Sequence, residues 1–222
     1  GRRILVDCGL FQGLKKLREQ NWDPFPIKPS SIDAVVLTHA HLDHSGYLPK
    51  LVKDGFRGPI LASAATRDVA EIILRDSGHI QEKDAENANR YGYSKHKPAL
   101  PLYGVHDAER AVERFSSTAF QQEVRLPGGA TLMLRRAGHI LGAATAEVTW
   151  NGTRILFSGD LGRYGDATMV DPEPVTEADY VVVESTYGDR LHDPHDPTQT
   201  LGDVIERTTA RGGTIVIPTF AV

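Results

Sequence analysis

Thr38-His39-Ala40-His41-Leu42-Asp43-His44-Ser45-Gly46 gathers three histidines and an aspartate between positions 39 and 44. The residues before it, Ala34-Val35-Val36-Leu37, are an apolar, largely β-branched run. Such a run bounded by polar residues reads as a buried strand. The cluster therefore lies where a strand ends and the chain turns. Beyond it, Tyr47, Leu48, Leu51 and Val52 recur at the spacing of a short helix. Strand, polar turn and helix in this order make the repeating unit of an open α/β sheet, and such sheets bind ligands beyond the carboxyl ends of their strands.

The residue types at this turn are those that bind metals. In extended backbone, residues two apart point the same way, so His39 and His41 can reach one ion together. Asp43 is again in phase, and His44 can swing to a second point once the chain turns. Neutral imidazole and carboxylate suit zinc, and iron and manganese accept them too. A solvated polar turn is the plainer alternative. It leaves the density of histidines unexplained, because crowded imidazoles repel one another when protonated unless something neutralises them.

Composition narrows the class. The chain has 222 residues, 40% hydrophobic and 24% charged, which fits a soluble globular domain with a substantial core. No apolar run approaches membrane-spanning length. Cys8 is the only cysteine, so there is no internal disulfide framework. It reads as a small buried hydrophobe in a protein of a reducing, cytoplasmic compartment. A net charge of −4 gives no general attraction to nucleic acid, though it leaves room for a local basic groove. The sequence starts at Gly1 and enters a strand, Arg3–Val6, without a preceding turn, so an earlier strand is expected upstream.

Along the chain, Asp7-Cys8-Gly9 closes that first strand, and in isolation Asp7 is an ordinary turn former. Phe11 to Trp22 is polar with a helical tendency. Ile60-Leu61-Ala62 is a further short strand. From Ala64 the pattern is helical, with Val69, Ile72, Ile73 and Ile80 on one face, continuing into an exposed polar stretch from Gln81 to Arg90. Gly78 could kink this helix, and His79 beside it is a weaker site candidate. His96 and His106 read as surface residues. Strands over Phe120–Leu126 and Ala130–Arg136 are joined by Pro127-Gly128-Gly129. Those over Ala143–Trp150 and Arg154–Phe157 are joined by Asn151-Gly152, a strong hairpin signal. His139 and Asp160 stand in glycine-flanked turns at strand ends. Asp179–Val183 reads as a buried strand ending in Glu184, a carboxylate expected to meet a cation, a metal-bound group or a histidine. His192 and His195 read as loop residues. Thr198–Ala210 is an amphipathic helix and Thr214–Ile217 another strand.

Asp7, the His39–His44 cluster, His139 and Asp160, each at a strand end, together resemble the ordered motif set of the metallo-β-lactamase superfamily. Leu5–Gly13, Glu184–Arg190 and Ile217–Val222 narrow the resemblance to its β-CASP branch of nucleases. That resemblance implies an α/β fold, a four-layer αββα sandwich of which residues 1–222 would be the N-terminal portion, incomplete at both ends. It implies two zinc ions. His39, His41 and His139 would hold the first, Asp43 and His44 the second, and Asp160 would bridge them. Catalytic duties would fall to Asp43, Asp7 and Glu184. Asp7 would orient a ligand histidine, and Glu184 a histidine that protonates the leaving oxygen. That histidine and a further zinc ligand belong to later motifs expected beyond Val222, so residues 1–222 alone should be impaired. The implied activity is hydrolysis of RNA phosphodiester bonds, with single-stranded RNA as substrate, no membrane, and room for a homodimer of the full-length protein. The alternatives are a DNA-directed β-CASP nuclease, a thioester or lactone hydrolase of the same superfamily, a non-catalytic scaffold, and a regulatory nucleic-acid-binding module.

Overall fold

The computed structural model describes residues 1–191 and 196–219, and it contains two sheets. In the first, β1 (Ile4–Val6), β2 (Ala34–Val36), β3 (Ile60–Ala62) and β4 (Phe115–Ser117) run parallel in that spatial order. The connections carry α1 (Lys15–Glu19), α2 (Leu42–Ser45), α3 (Leu48–Lys53), α4 (Ala64–Tyr91) and α5 (Val105–Val112). In the second sheet β5 (Val124–Arg125), β6 (Thr131–Arg136), β7 (Ala144–Trp150) and β8 (Thr153–Phe157) are antiparallel neighbours, and β9 (Tyr180–Val182) lies parallel to β8.

The side-chain period of two explains the layering. Along β2 and the residue after it, Val35 and Leu37 face one way and pack with Leu48, Leu51, Leu74 and Ala108 from α3, α4 and α5. Ala34 and Val36 face the other way, onto Leu132, Leu134, Ala144 and Ala146 of the second sheet. All four residues from Ala34 to Leu37 are completely buried, as a central parallel strand covered on both faces must be. The result is a helix–sheet–sheet stack, three layers of the expected sandwich. It belongs to a first compact unit, Gly1–Glu184. A second unit, Ser185–Val222, contains α6 (Pro197–Ala210), whose N-cap Asp196 accepts a hydrogen bond from the Thr198 N–H at 2.9 Å.

Several expectations change. The strand expected over Asp179–Val183 forms as β9, but it is not buried: Val182 is 54% exposed and Val183, just beyond it, 61%. It pairs with β8 on one side only among the described residues, so its apolar run has no second neighbour to cover it. No strand forms over Thr214–Ile217, where the backbone joins no ladder among the described residues. The strand read over 120–126 shrinks to β5 and a single bridge between Phe120 and Leu134. On α4 the buried face is Ala70, Leu74, Ser77 and Gly78, while Ile72 and Ile80 are exposed. The helix continues unbroken through Gly78, where the start of α5 comes so close that a Cβ would lie 2.9 Å from the Gly104 carbonyl carbon. Small residues win this face because another backbone crosses it. His192, His195 and Phe220–Val222 lie outside the described residues.

Candidate metal centre

The chain leaves β2 at Thr38 and turns into α2, which carries Asp43 and His44, with His41 at its N-cap. The segment after β1 clamps this turn. The Cys8 N–H donates to the His44 carbonyl at 2.7 Å, and the Leu10 N–H to the Leu42 carbonyl at 2.8 Å. Gly9 sits between them, and a Cβ there would fall 1.6 Å from the Asp43 carbonyl oxygen. Only glycine allows that approach. From the second sheet, His139 stands in the turn between β6 and β7, and Asp160 in the turn after β8. The Gly162 N–H donates to the Ala137 carbonyl at 2.8 Å and ties the two turns together. The site thus forms at one edge of the stacked sheets, with residues from both.

Four groups converge most closely. His39 Nε2 is 3.1 Å from His41 Nδ1, and His139 Nε2 is 3.2 Å from the same atom. Asp160 Oδ2 lies 3.8 Å from His39 Nε2 and 3.5 Å from His139 Nε2. One donor atom from each of these residues lies within 4.8 Å of all the others. A tetrahedral ion with ligand bonds of about 2.0–2.1 Å separates its donors by about 3.3 Å, so the set has the dimensions to close on a metal. Asp160 also turns its other oxygen away from this group: Oδ1 is 3.1 Å from His44 Nε2. Asp43 Oδ2 is 3.9 Å from the same nitrogen, on a side chain 56% exposed.

Asp7 lies behind His44. Its Oδ2 accepts from His44 Nδ1 at 2.7 Å and from the Thr38 hydroxyl at 2.8 Å, and its Oδ1 accepts the Thr38 N–H at 2.8 Å. It achieves this from a left-handed backbone conformation, φ 57°, uncommon outside glycine and better tolerated by aspartate than by most residues. An ordinary turn former would not need three buried donors.

The charges follow from these contacts. Burial, reinforced by the neighbouring His44, lowers His39 to about 3, and burial with the neighbouring His139 also lowers His41. Both rings are therefore neutral at neutral pH and offer lone pairs. Burial opposes charge on His44 as well, but the hydrogen bonds to Asp160 and Asp7 outweigh it and raise its pKa to about 10. The bond from His44 holds Asp160 down at about 2. Neutral imidazoles facing a carboxylate at these distances are a donor set that a metal cation satisfies.

Other sequence candidates stand elsewhere. Glu184 meets no cation or histidine among the described residues. Its Oε1 accepts the Leu161 N–H, and its own N–H donates to the Ser158 hydroxyl at 3.0 Å. Backbone donors freed by the turn after Asp160 satisfy the carboxylate instead. His79, His96 and His106 are exposed outside the cluster. Thr38 escaped the sequence reading, and the signal was a hydroxyl directly before the first histidine.

A helix–sheet–sheet stack with a cluster that could hold a metal at its edge is the frame of the β-lactamase superfamily domain family, and the chain belongs to that family, whose model matches residues 2–219. Among curated relatives, a ribonuclease of Thermus thermophilus is 39% identical over 223 residues, covering 100% of this chain and 47% of its own. Cleavage and polyadenylation specificity factor subunit 3-I of Arabidopsis thaliana is 32% identical, with coverages of 100% and 30%. The transcription termination factor FttA of Methanocaldococcus jannaschii is 28% identical, with coverages of 99% and 34%. The resemblance to β-CASP nucleases therefore extends over essentially the whole chain, which spans about half the length of the first relative and about a third of the other two. No helix among the described residues is long and apolar enough to cross a membrane.

Proposed function

We propose that residues 1–222 carry the metal centre of a zinc-dependent ribonuclease, as the metallo-β-lactamase-like part of a longer protein. The observation that carries this reading is the orientation of Asp160, with one oxygen toward His39 and His139 and the other toward His44. In this reading His39, His41 and His139 would hold one zinc ion, Asp43 and His44 would hold a second, and Asp160 would serve both. When bound, the two ions supply a hydrolytic nucleophile at neutral pH and offset charge on the phosphate under attack. Asp7 holds the His44 ring by its Nδ1 proton, leaving Nε2 turned to the site. Glu184, anchored at one oxygen by the Leu161 N–H, has its other oxygen available to orient a proton-donating histidine from elsewhere in the full-length protein.

The relatives' names favour RNA over small thioesters or lactones. Single-stranded RNA and a reducing, cytoplasmic compartment belong to this reading, the second in keeping with the free, buried Cys8. A homodimer of the full-length protein belongs to the same reading. The test is to incubate the full-length protein with labelled single-stranded RNA, with DNA of the same sequence, and with a model thioester, each with and without a chelator. RNA cleavage abolished by the chelator and restored by zinc is expected. RNA left intact, or cut equally well in the chelator, would sink the proposal.

A further inference from the structure

The hydrogen bonds behind the cluster form a chain with one consistent assignment of protons. The Asp7 carboxylate faces three donor groups, the Thr38 N–H, the Thr38 hydroxyl and His44 Nδ1, and its oxygens act as acceptors. Its Oδ2 is 2.8 Å from the Thr38 hydroxyl, so that hydroxyl must donate to it. Thr38 Oγ1 is also 3.1 Å from His39 Nδ1. Having spent its single proton on Asp7, it can only accept there, and His39 must carry its proton on Nδ1. His39 Nε2 is then a bare lone pair, the atom that lies 3.1 Å from His41 and 3.8 Å from Asp160. His44 needs no relay to be anchored, since its Nδ1–H donates to Asp7 directly.

We propose that Thr38 is a positioning residue that relays Asp7 to His39, so that one carboxylate fixes the His39 tautomer through the hydroxyl and anchors the His44 ring by direct contact. The inference rests on the metal-centre reading above. Thr38 is held for the task from both sheets. It is 1% exposed, its carbonyl accepts the Ala144 N–H at 2.9 Å, and Gly159 packs so closely that a Cβ there would sit 2.8 Å from the Thr38 hydroxyl. A side chain at position 159 would displace the hydroxyl, so the glycine before Asp160 leaves Thr38 the space in which it reaches both Asp7 and His39.

Thr38→Val in the full-length protein keeps the shape and removes the relay, whereas Thr38→Ser keeps the relay. Zinc affinity, read by competition with a chromophoric chelator, should fall about 10–100-fold in Thr38→Val, the loss expected for a partner that orients a ligand. Thr38→Ser should stay near wild type. Long-range proton–nitrogen NMR on the metal-free wild type should place the His39 proton on Nδ1, and this readout needs no variant to fold. Zinc affinity in folded Thr38→Val equal to wild type, or a wild-type His39 protonated on Nε2, would overturn the relay. A wild-type protein that takes up no zinc would overturn the metal-centre reading itself, and RNA left uncut by a protein that does bind zinc would touch only the choice of substrate.

Discussion

Strand β2, Ala34–Val36, and strand β9, Tyr180–Val182, are both short apolar runs, and both lead directly into residues expected at the site. Their surroundings differ. β2 pairs on both sides, with β1 and β3, and is covered on both faces, so every side chain from Ala34 to Leu37 is fully buried. β9 pairs with β8 alone among the described residues and exposes more than half of each side chain. After β2 come Thr38 and three histidines, fixed by a carboxylate and by the backbone of the segment after β1. After β9 comes Glu184, held through one hydroxyl and one N–H. An apolar β-branched run thus announces a strand, but burial depends on neighbours that the run does not contain.

The largest effect should separate the two ends of the site. His39→Ala removes a donor from the buried cluster and is expected to lower zinc affinity by more than about 100-fold, beyond the loss of an orienting partner. Glu184→Gln keeps an acceptor for the Leu161 N–H and should leave zinc uptake intact while slowing RNA cleavage. Metal analysis of the purified variants, set beside cleavage rates, checks both. If Glu184→Gln also empties the metal site, the two ends are not as separate as their contacts imply.

A smaller difference should appear in stability. Val36→Ala removes two buried carbons and leaves a cavity between the sheets, at a cost of about 2 kcal/mol. Val182→Ala on the exposed strand should cost less than about 0.5 kcal/mol. Urea denaturation of the two variants measures this directly. Equal costs would mean that something covers β9 in the folded protein.

The same contrast explains what the sequence revealed. Strand β2 and the metal-binding character of the turn after it were legible because periodicity and residue type are local. So was the Asn151-Gly152 hairpin, where positive φ at both positions (49° and 80°) suits few other residue pairs. The face of α4 was half legible. Val69 and Ile73 pack against the core, but Ile72 and Ile80 are exposed. The small residues Ala70, Ser77 and Gly78 take the buried stripe with Leu74, because the α5 backbone crosses it. Glu184 was expected to meet a cation, a metal-bound group or a histidine, and the turn after Asp160 offered it an N–H. Thr38 was invisible because its role depends on Asp7, which lies 31 positions earlier in the chain. Each miss concerns a partner brought by the fold, not a residue type misread.

The smallest expected effect is chemical. Cys8 directly follows Asp7 at the closed end of the site, and burial, aided by the negative charge of Asp7, pushes its thiol up to about 12. The thiolate is the reactive form, so iodoacetamide at pH 8 should leave Cys8 unmodified in the native protein and label it only after denaturation. A cysteine placed on the other strand, Val182→Cys in a Cys8→Ala background, should be alkylated in the native state at the rate of an exposed thiol. Mass spectrometry over time distinguishes the two. If native Cys8 reacted as fast as the cysteine at position 182, the clamp of Cys8 and Leu10 on α2 would have to open often. The histidines behind it would then lack the fixed backing on which the metal geometry depends.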